Sequence, residues 1–157
     1  LDQGKRTALI DKSTLLFNQN IQKAITFYNG ACKISNEKES TIPAFMLQQA
    51  CELSYRSLLI SLRGKQVKCH DLVVLRKHVS HFASSIIGVV DEDEKHELAI
   101  LTAIQDSYVK SRYDQMYSIS GSELKQFFAT AEKLIKAAKD IFNWQCKRIL
   151  TTYRTTF

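Results

Sequence analysis

Proline is almost absent from this 157-residue chain, which has one proline (Pro43) and five glycines. So few turn-forming residues exclude a loop-rich or all-β protein and favour helix. Long apolar runs are missing too. The longest, SLLISL at 57–62 and SSIIGVV at 84–90, fall far short of a bilayer span. The opening LDQGKRTALIDK lacks the apolar stretch and small-residue cleavage site of a secretory leader. Cys32, Cys51, Cys69 and Cys146 lie far apart, with no CxxC or CxxxH spacing, which argues against structural zinc. Reduced, mostly buried thiols in a cytoplasmic protein are the expectation, with no metal and no cofactor.

What is present suits one globular domain. Hydrophobic residues make up 45% and charged residues 24%, enough apolar material for a core. The net charge of +6 is uneven. Residues 63–81 hold five basic residues, one acid and three histidines. Residues 123–157 hold seven basic residues against three acids, whereas 91–97 hold five acids and one lysine. Basic faces of this kind suit phosphate-bearing partners.

Hydrophobic periodicity predicts five helices. Ile10, Thr14, Phe17, Ile21, Ala24, Tyr28 and Ala31 line the first, which the polar SNEKES (35–40) ends. The second opens at Pro43, with Ser40 and Thr41 as candidate caps and Gly64 at its end. Its main stripe is Met46, Ala50, Leu53, Ser57 and Ile60. Leu47, Cys51, Leu58 and Leu62 widen this into the surface of a central helix. A third is expected over 70–90, with Leu72, Leu75, Val79, Phe82 and Ile86 facing inward. The acidic DEDE (91–94) starts a fourth, carrying Leu98, Leu101, Ile104, Tyr108 and Val109. SGSE (120–123) matches a capping box before a fifth, lined by Leu124, Phe127, Ala131, Leu134, Ala138, Ile141 and Phe142. Short connections make these antiparallel neighbours, an all-α up-and-down bundle over 7–146 with a tail at 147–157.

Several polar groups are candidates for chemistry. Gln49, Glu52 and Arg56 share a face of the second helix. Glu52 and Arg56 can form a structural ion pair, or Glu52 can orient Arg56 toward a phosphate. His70 and Asp71 stand at a helix start, where a carboxylate caps and free amides attract anions. Arg76 and His81 have four residues between them on a helix face, and His78 can meet His81, although no third metal ligand is signalled. Arg112, Tyr113, Asp114 and Tyr117 crowd the end of the fourth helix. They fit either a fraying terminus or a wall that grips phosphate and stacks on a base.

AFMLQQACELSYRSLLISLRGKQVKCHDLVVLRKHV (44–79) followed by YVKSRYDQMYSISGSELKQF (108–127) resembles the HEPN domain, the higher eukaryotes and prokaryotes nucleotide-binding domain. The resemblance lies in a Gln-Gln-Ala…Glu helix with a base four residues on, a His-Asp-Leu helix start and an Arg-Tyr segment closing the next helix. It covers roughly residues 10–142. It implies four main helices plus an additional one, commonly as a homodimer. It also implies nucleotide or RNA binding, through Gln49, Glu52, Arg56, His70, Asp71, Arg112, Tyr113, Asp114 and Tyr117. Members are often fused to, or encoded beside, a minimal nucleotidyltransferase, and some are RNA-cutting toxins of toxin–antitoxin pairs. The start at Leu1 fits a C-terminal piece of such a fusion. Nuclease members carry an arginine and a histidine four to six residues apart near the cleft. No histidine follows Arg112 at that distance. A metal-independent ribonuclease would instead need Arg76 with His81, or His70. A ligand-free dimerisation module is the third reading.

Overall fold

The computed structural model describes residues 2–35 and 40–154, and the side chains of all but the last three of these. Four long helices, α1 (Gln3–Ile34), α2 (Thr41–Arg63), α4 (Glu94–Tyr113) and α5 (Gly121–Arg154), make up the bundle. A short α3 (Leu72–Ser80) and a 3-10 turn (Ser84–Ile86) lie between α2 and α4. The chain is therefore all-α, four main helices plus an additional one.

Contacts along the helices give their directions. Phe17 stacks on Phe142 with ring centroids 4.2 Å apart, and Tyr28 meets Phe128 edge-on at 5.8 Å, so α1 and α5 run antiparallel. Phe45 stacks on Tyr108 while Gln48 reaches Gln105, which sets α2 antiparallel to α4. α2 packs against all four other helices. Its buried residues accordingly circle the helix: Leu47, Ala50, Cys51, Tyr55, Leu58 and Leu59. A helix covered on every side needs apolar groups beyond one stripe.

The ends follow local chemistry. Asp2 and Asp93 accept hydrogen bonds from the amides of Lys5 and Lys95 at the starts of α1 and α4. Ser40 precedes α2 but makes no capping side-chain bond. Gly64 closes α2 at φ +63°, and the amides of Gly64 and Lys65 reach the Ile60 and Leu59 carbonyls. Ser120 and Glu123 form the expected capping box, with Glu123 N donating to Ser120 Oγ at 3.2 Å.

Two expectations shift. The third helix ends at Ser80 instead of continuing to residue 90. Gly88 turns at φ +85°, and the amides of Gly88, Val90 and Asp91 donate to Glu97 instead of to helical carbonyls. Phe82 and Ile86 still pack on the core, though from a bent segment. On α4 the buried face runs through Glu97, Ile100, Leu101, Ile104 and Ser107, and Val109 is exposed. Every residue of the expected α5 stripe is buried, and the helix continues to Arg154, past Trp144 where the pattern blurs. Residues 36–39 of the polar SNEKES segment lie outside the described residues.

Candidate functional site

Glu52 is the centre of a polar cluster set into the apolar surface of α2. Its side chain is 7% exposed, a burial that requires partners for both oxygens. Arg56 Nε donates to Oε2 at 3.1 Å, one helical turn on. His70 Nδ1 lies 3.2 and 3.3 Å from the two carboxylate oxygens. The buried carboxylate therefore fixes an imidazole that is itself 70% exposed. Gln48 extends the cluster. Its amide lies 3.4 Å from both Glu52 Oε1 and Gln105 Oε1 of α4, and it accepts a 2.7 Å bond from Gln49. Gln105 in turn accepts from the amide of Leu72 at the start of α3.

Arg56 is tied to its own chain. Nη1 donates to the Val67 carbonyl at 2.7 Å and Nη2 to the Cys69 carbonyl at 2.5 Å. With Nε on Glu52, all three guanidinium nitrogens are engaged, so Arg56 anchors the α2–α3 connection and is not poised for a phosphate. Asp71 is likewise a cap: Oδ1 accepts from the amides of Val73 (2.9 Å) and Val74 (3.2 Å). A carboxylate thus already occupies the anion position at the start of α3.

Gln105, Tyr108 and Arg112 follow one another at steps of three and four on α4. Tyr108 stacks on Phe45 of α2 at 5.2 Å, and Arg112 Nη1 donates to the Tyr108 hydroxyl at 3.1 Å. The Arg112 guanidinium lies 5.4 Å from the Tyr108 ring and 5.6 Å from the Tyr113 ring. Tyr113 is 77% exposed, which leaves its ring open to a ligand. Tyr113 and Tyr117 do not share a helical face, because α4 ends at Tyr113. Asp114 shapes the turn that follows by accepting from the Met116 amide at 3.0 Å. Tyr117 packs inward under Lys110, and its phenol pKa is raised by burial and then by Glu123 and Asp106.

Arg76 and His81 have no common surface. Arg76 is buried at 5% exposure, with Nε 2.6 Å from Glu97 Oε1 and Nη2 3.6 Å from Glu94. His81 is exposed at the end of α3, beside His78. A guanidinium held inside the bundle cannot stabilise a phosphorane on an exposed histidine, so this pairing is corrected to a structural ion pair for Arg76. Beside it, the Tyr55 hydroxyl is buried without a hydrogen-bond partner among the described residues, and burial, then Cys51 and Glu97, raise its pKa well above the ordinary value. Burial alone pushes the Cys51 thiol up to about 12.

The burial of Glu97 has little local sign in the sequence, because an acid near a helix start suits the dipole anyway. Its spacing to Leu101 and Ile104 was the available signal of burial. Among the described residues no group of His, Cys, Asp and Glu could hold a metal ion, and all four cysteines are free. Cys51 alone is fully buried; Cys32 is exposed. No helix of the described residues is long and apolar enough to cross a membrane.

Comparison with curated proteins finds no significant match. Comparison with protein families matches residues 18–149 to the HEPN domain, a span that takes in Glu52, His70 and Arg112. The chain belongs to the HEPN domain family.

Proposed function

We propose that this chain is a non-catalytic HEPN module that binds a nucleotide or RNA and acts with a nucleotidyltransferase domain, in the same chain or as a partner. In this reading it works as a cytoplasmic homodimer. The observation that carries the proposal is Arg112 set between the Tyr108 and Tyr113 rings at the exposed end of α4. A planar cation beside an exposed phenol offers a phosphate grip and a stacking face together. Arg112 holds phosphate and Tyr113 packs on a base. His70, oriented by Glu52, hydrogen-bonds the ligand farther along α2. Gln49, Arg56, Asp71, Asp114 and Tyr117 shape its surroundings.

Calorimetric titration with nucleoside triphosphates and short RNA tests the assignment. Arg112→Ala should weaken binding about tenfold or more, as expected for losing a charge-assisted contact. Its stability should change by no more than about 0.5 kcal/mol, since the side chain is exposed. Loss of folding would instead assign Arg112 to holding helices together.

The Glu52–His70 pair favours one alternative, a metal-independent endoribonuclease. A carboxylate that orients an exposed imidazole is the arrangement of a general acid or base acting on a ribose 2′-hydroxyl. Incubating the purified chain with RNA decides between the two. Cleavage abolished by His70→Ala would replace the binding reading, and intact RNA would remove the nuclease one.

A further inference from the structure

The other end of α2 faces a separate basic groove. Arg63 there is 18 positions from Phe45, about 27 Å along the helix axis. The start of α1, the end of α2, the α3–α4 connection and the far part of α5 line an open hollow of about 500 Å³. Arg6, Leu9, Arg63, Phe82, Gln145 and Arg148 are among the residues lining it. A second hollow of about 480 Å³ shares Phe82, Gln145 and Arg148, and adds Ser84, Ser85 and Trp144. Of the described residues lining the two hollows, Asp140 is the one carboxylate.

The arginines and rings are interleaved. The Arg63 guanidinium lies 4.8 Å over Phe82, and that of Arg148 lies 5.4 Å over Trp144. Arg6 leans on the end of α5, with Nη1 3.5 Å from the Ile149 carbonyl. Arg63 is exposed and forms no ion pair with a carboxylate among the described residues. Trp144 is 58% exposed, a large apolar surface for a solvated helix. Cations that track a backbone beside aromatic faces that stack bases are the two elements of single-strand recognition.

We propose that this groove is a second binding site, for a single strand of nucleic acid. Its phosphodiesters lie on Arg6, Arg63 and Arg148, and its bases pack against Phe82 and Trp144. Each hollow has the size of a small-ligand pocket, so a mononucleotide would fill only one. Arg148 and Phe82 line both hollows and join them, which favours a strand over a monomer. The aromatic faces favour bases over an acidic peptide, which would use the cations and leave the rings uncovered. The proposal stands independently of any role for Arg112.

The chain has one tryptophan, and it lies in this groove, so its fluorescence reports on this site alone. Titrating the 157-residue chain with an oligouridylate decamer at low salt should give saturable quenching of Trp144. The logarithm of the binding constant should fall with log salt at a slope near −2, about −0.7 for each of three phosphate contacts. Arg63→Glu and Arg148→Glu should each weaken quenching about tenfold or more, with circular dichroism melts showing both variants folded. Arg112→Ala should leave it unchanged, which separates this site from the one on α4. The proposal fails if quenching is absent, survives both charge reversals, or is reproduced by uridine monophosphate or polyglutamate.

Discussion

The Glu97 carboxylate is fully buried, and it is held by Arg76 on one side and by three backbone amides on the other. Such a group holds its neighbours because a buried charge without a counter-charge is strongly disfavoured. Glu97→Gln keeps the shape and removes the charge, leaving the Arg76 guanidinium buried with only the more distant Glu94. We expect a loss of about 3–5 kcal/mol in urea unfolding. A loss below about 1 kcal/mol would mean that Glu94 suffices to balance Arg76. Glu52 is a parallel case with a different outcome, because one of its partners, His70, points into solvent. Two buried carboxylates in one bundle thus do different work: Glu97 folds a connection inward, and Glu52 presents an imidazole outward.

Between residue and bundle lies the α2–α3 connection, and Arg56 is what fixes it. Gly64 stops α2 with a left-handed backbone, and residues 65–71 then follow an irregular path with no helix of their own. Their order comes from the bonds of Arg56 to the Val67 and Cys69 carbonyls, while the Asp71 cap fixes the start of α3. Arg56→Ala should therefore raise amide hydrogen exchange across 65–71 and into the first turn of α3. It should cost about 2–3 kcal/mol, the scale of charged hydrogen bonds left unmade. Arg56→Lys should not restore protection, since an ammonium cannot bridge two carbonyls and a carboxylate as a planar fork does. Unchanged exchange in Arg56→Ala would show that Asp71 and Gln105 hold the connection by themselves.

At the scale of the molecule, α2 works as a spine with an exposed surface at each end. The Arg112 cluster lies near its start and the arginine–aromatic groove at its finish. The separation of about 27 Å exceeds the screening length of about 8–10 Å at ordinary salt. Substitutions at the two ends should therefore act independently, which is why Arg112→Ala serves as the control for the groove. The long α5 links the two ends of the bundle. Its apolar stripe closes the core, and its far part, with Trp144 and Arg148, projects beyond the stripe into the groove.

The sequence by itself determined the elements whose burial is one-sided. The α5 stripe from Leu124 to Phe142 was legible residue by residue, because period 3.6 maps directly onto a helix with one wet face. The Ser120–Glu123 box, the Gly64 stop and the Asp71 cap were legible because capping depends on near neighbours alone. Only the tertiary structure decided what the polar residues touch. Glu97 reaches back across the bundle to Arg76 and to the bend at Gly88, so α3 stops ten residues early and the buried face of α4 turns away from Val109. Arg56 has the spacing of a phosphate ligand, yet carbonyls 11 and 13 positions away along the chain claim it. The groove of Arg6, Arg63 and Arg148 unites three arginines from three helices, and no local pattern records such a meeting. Hydrogen bonds and ion pairs formed by chain folding are set by distance in space, which periodicity cannot encode.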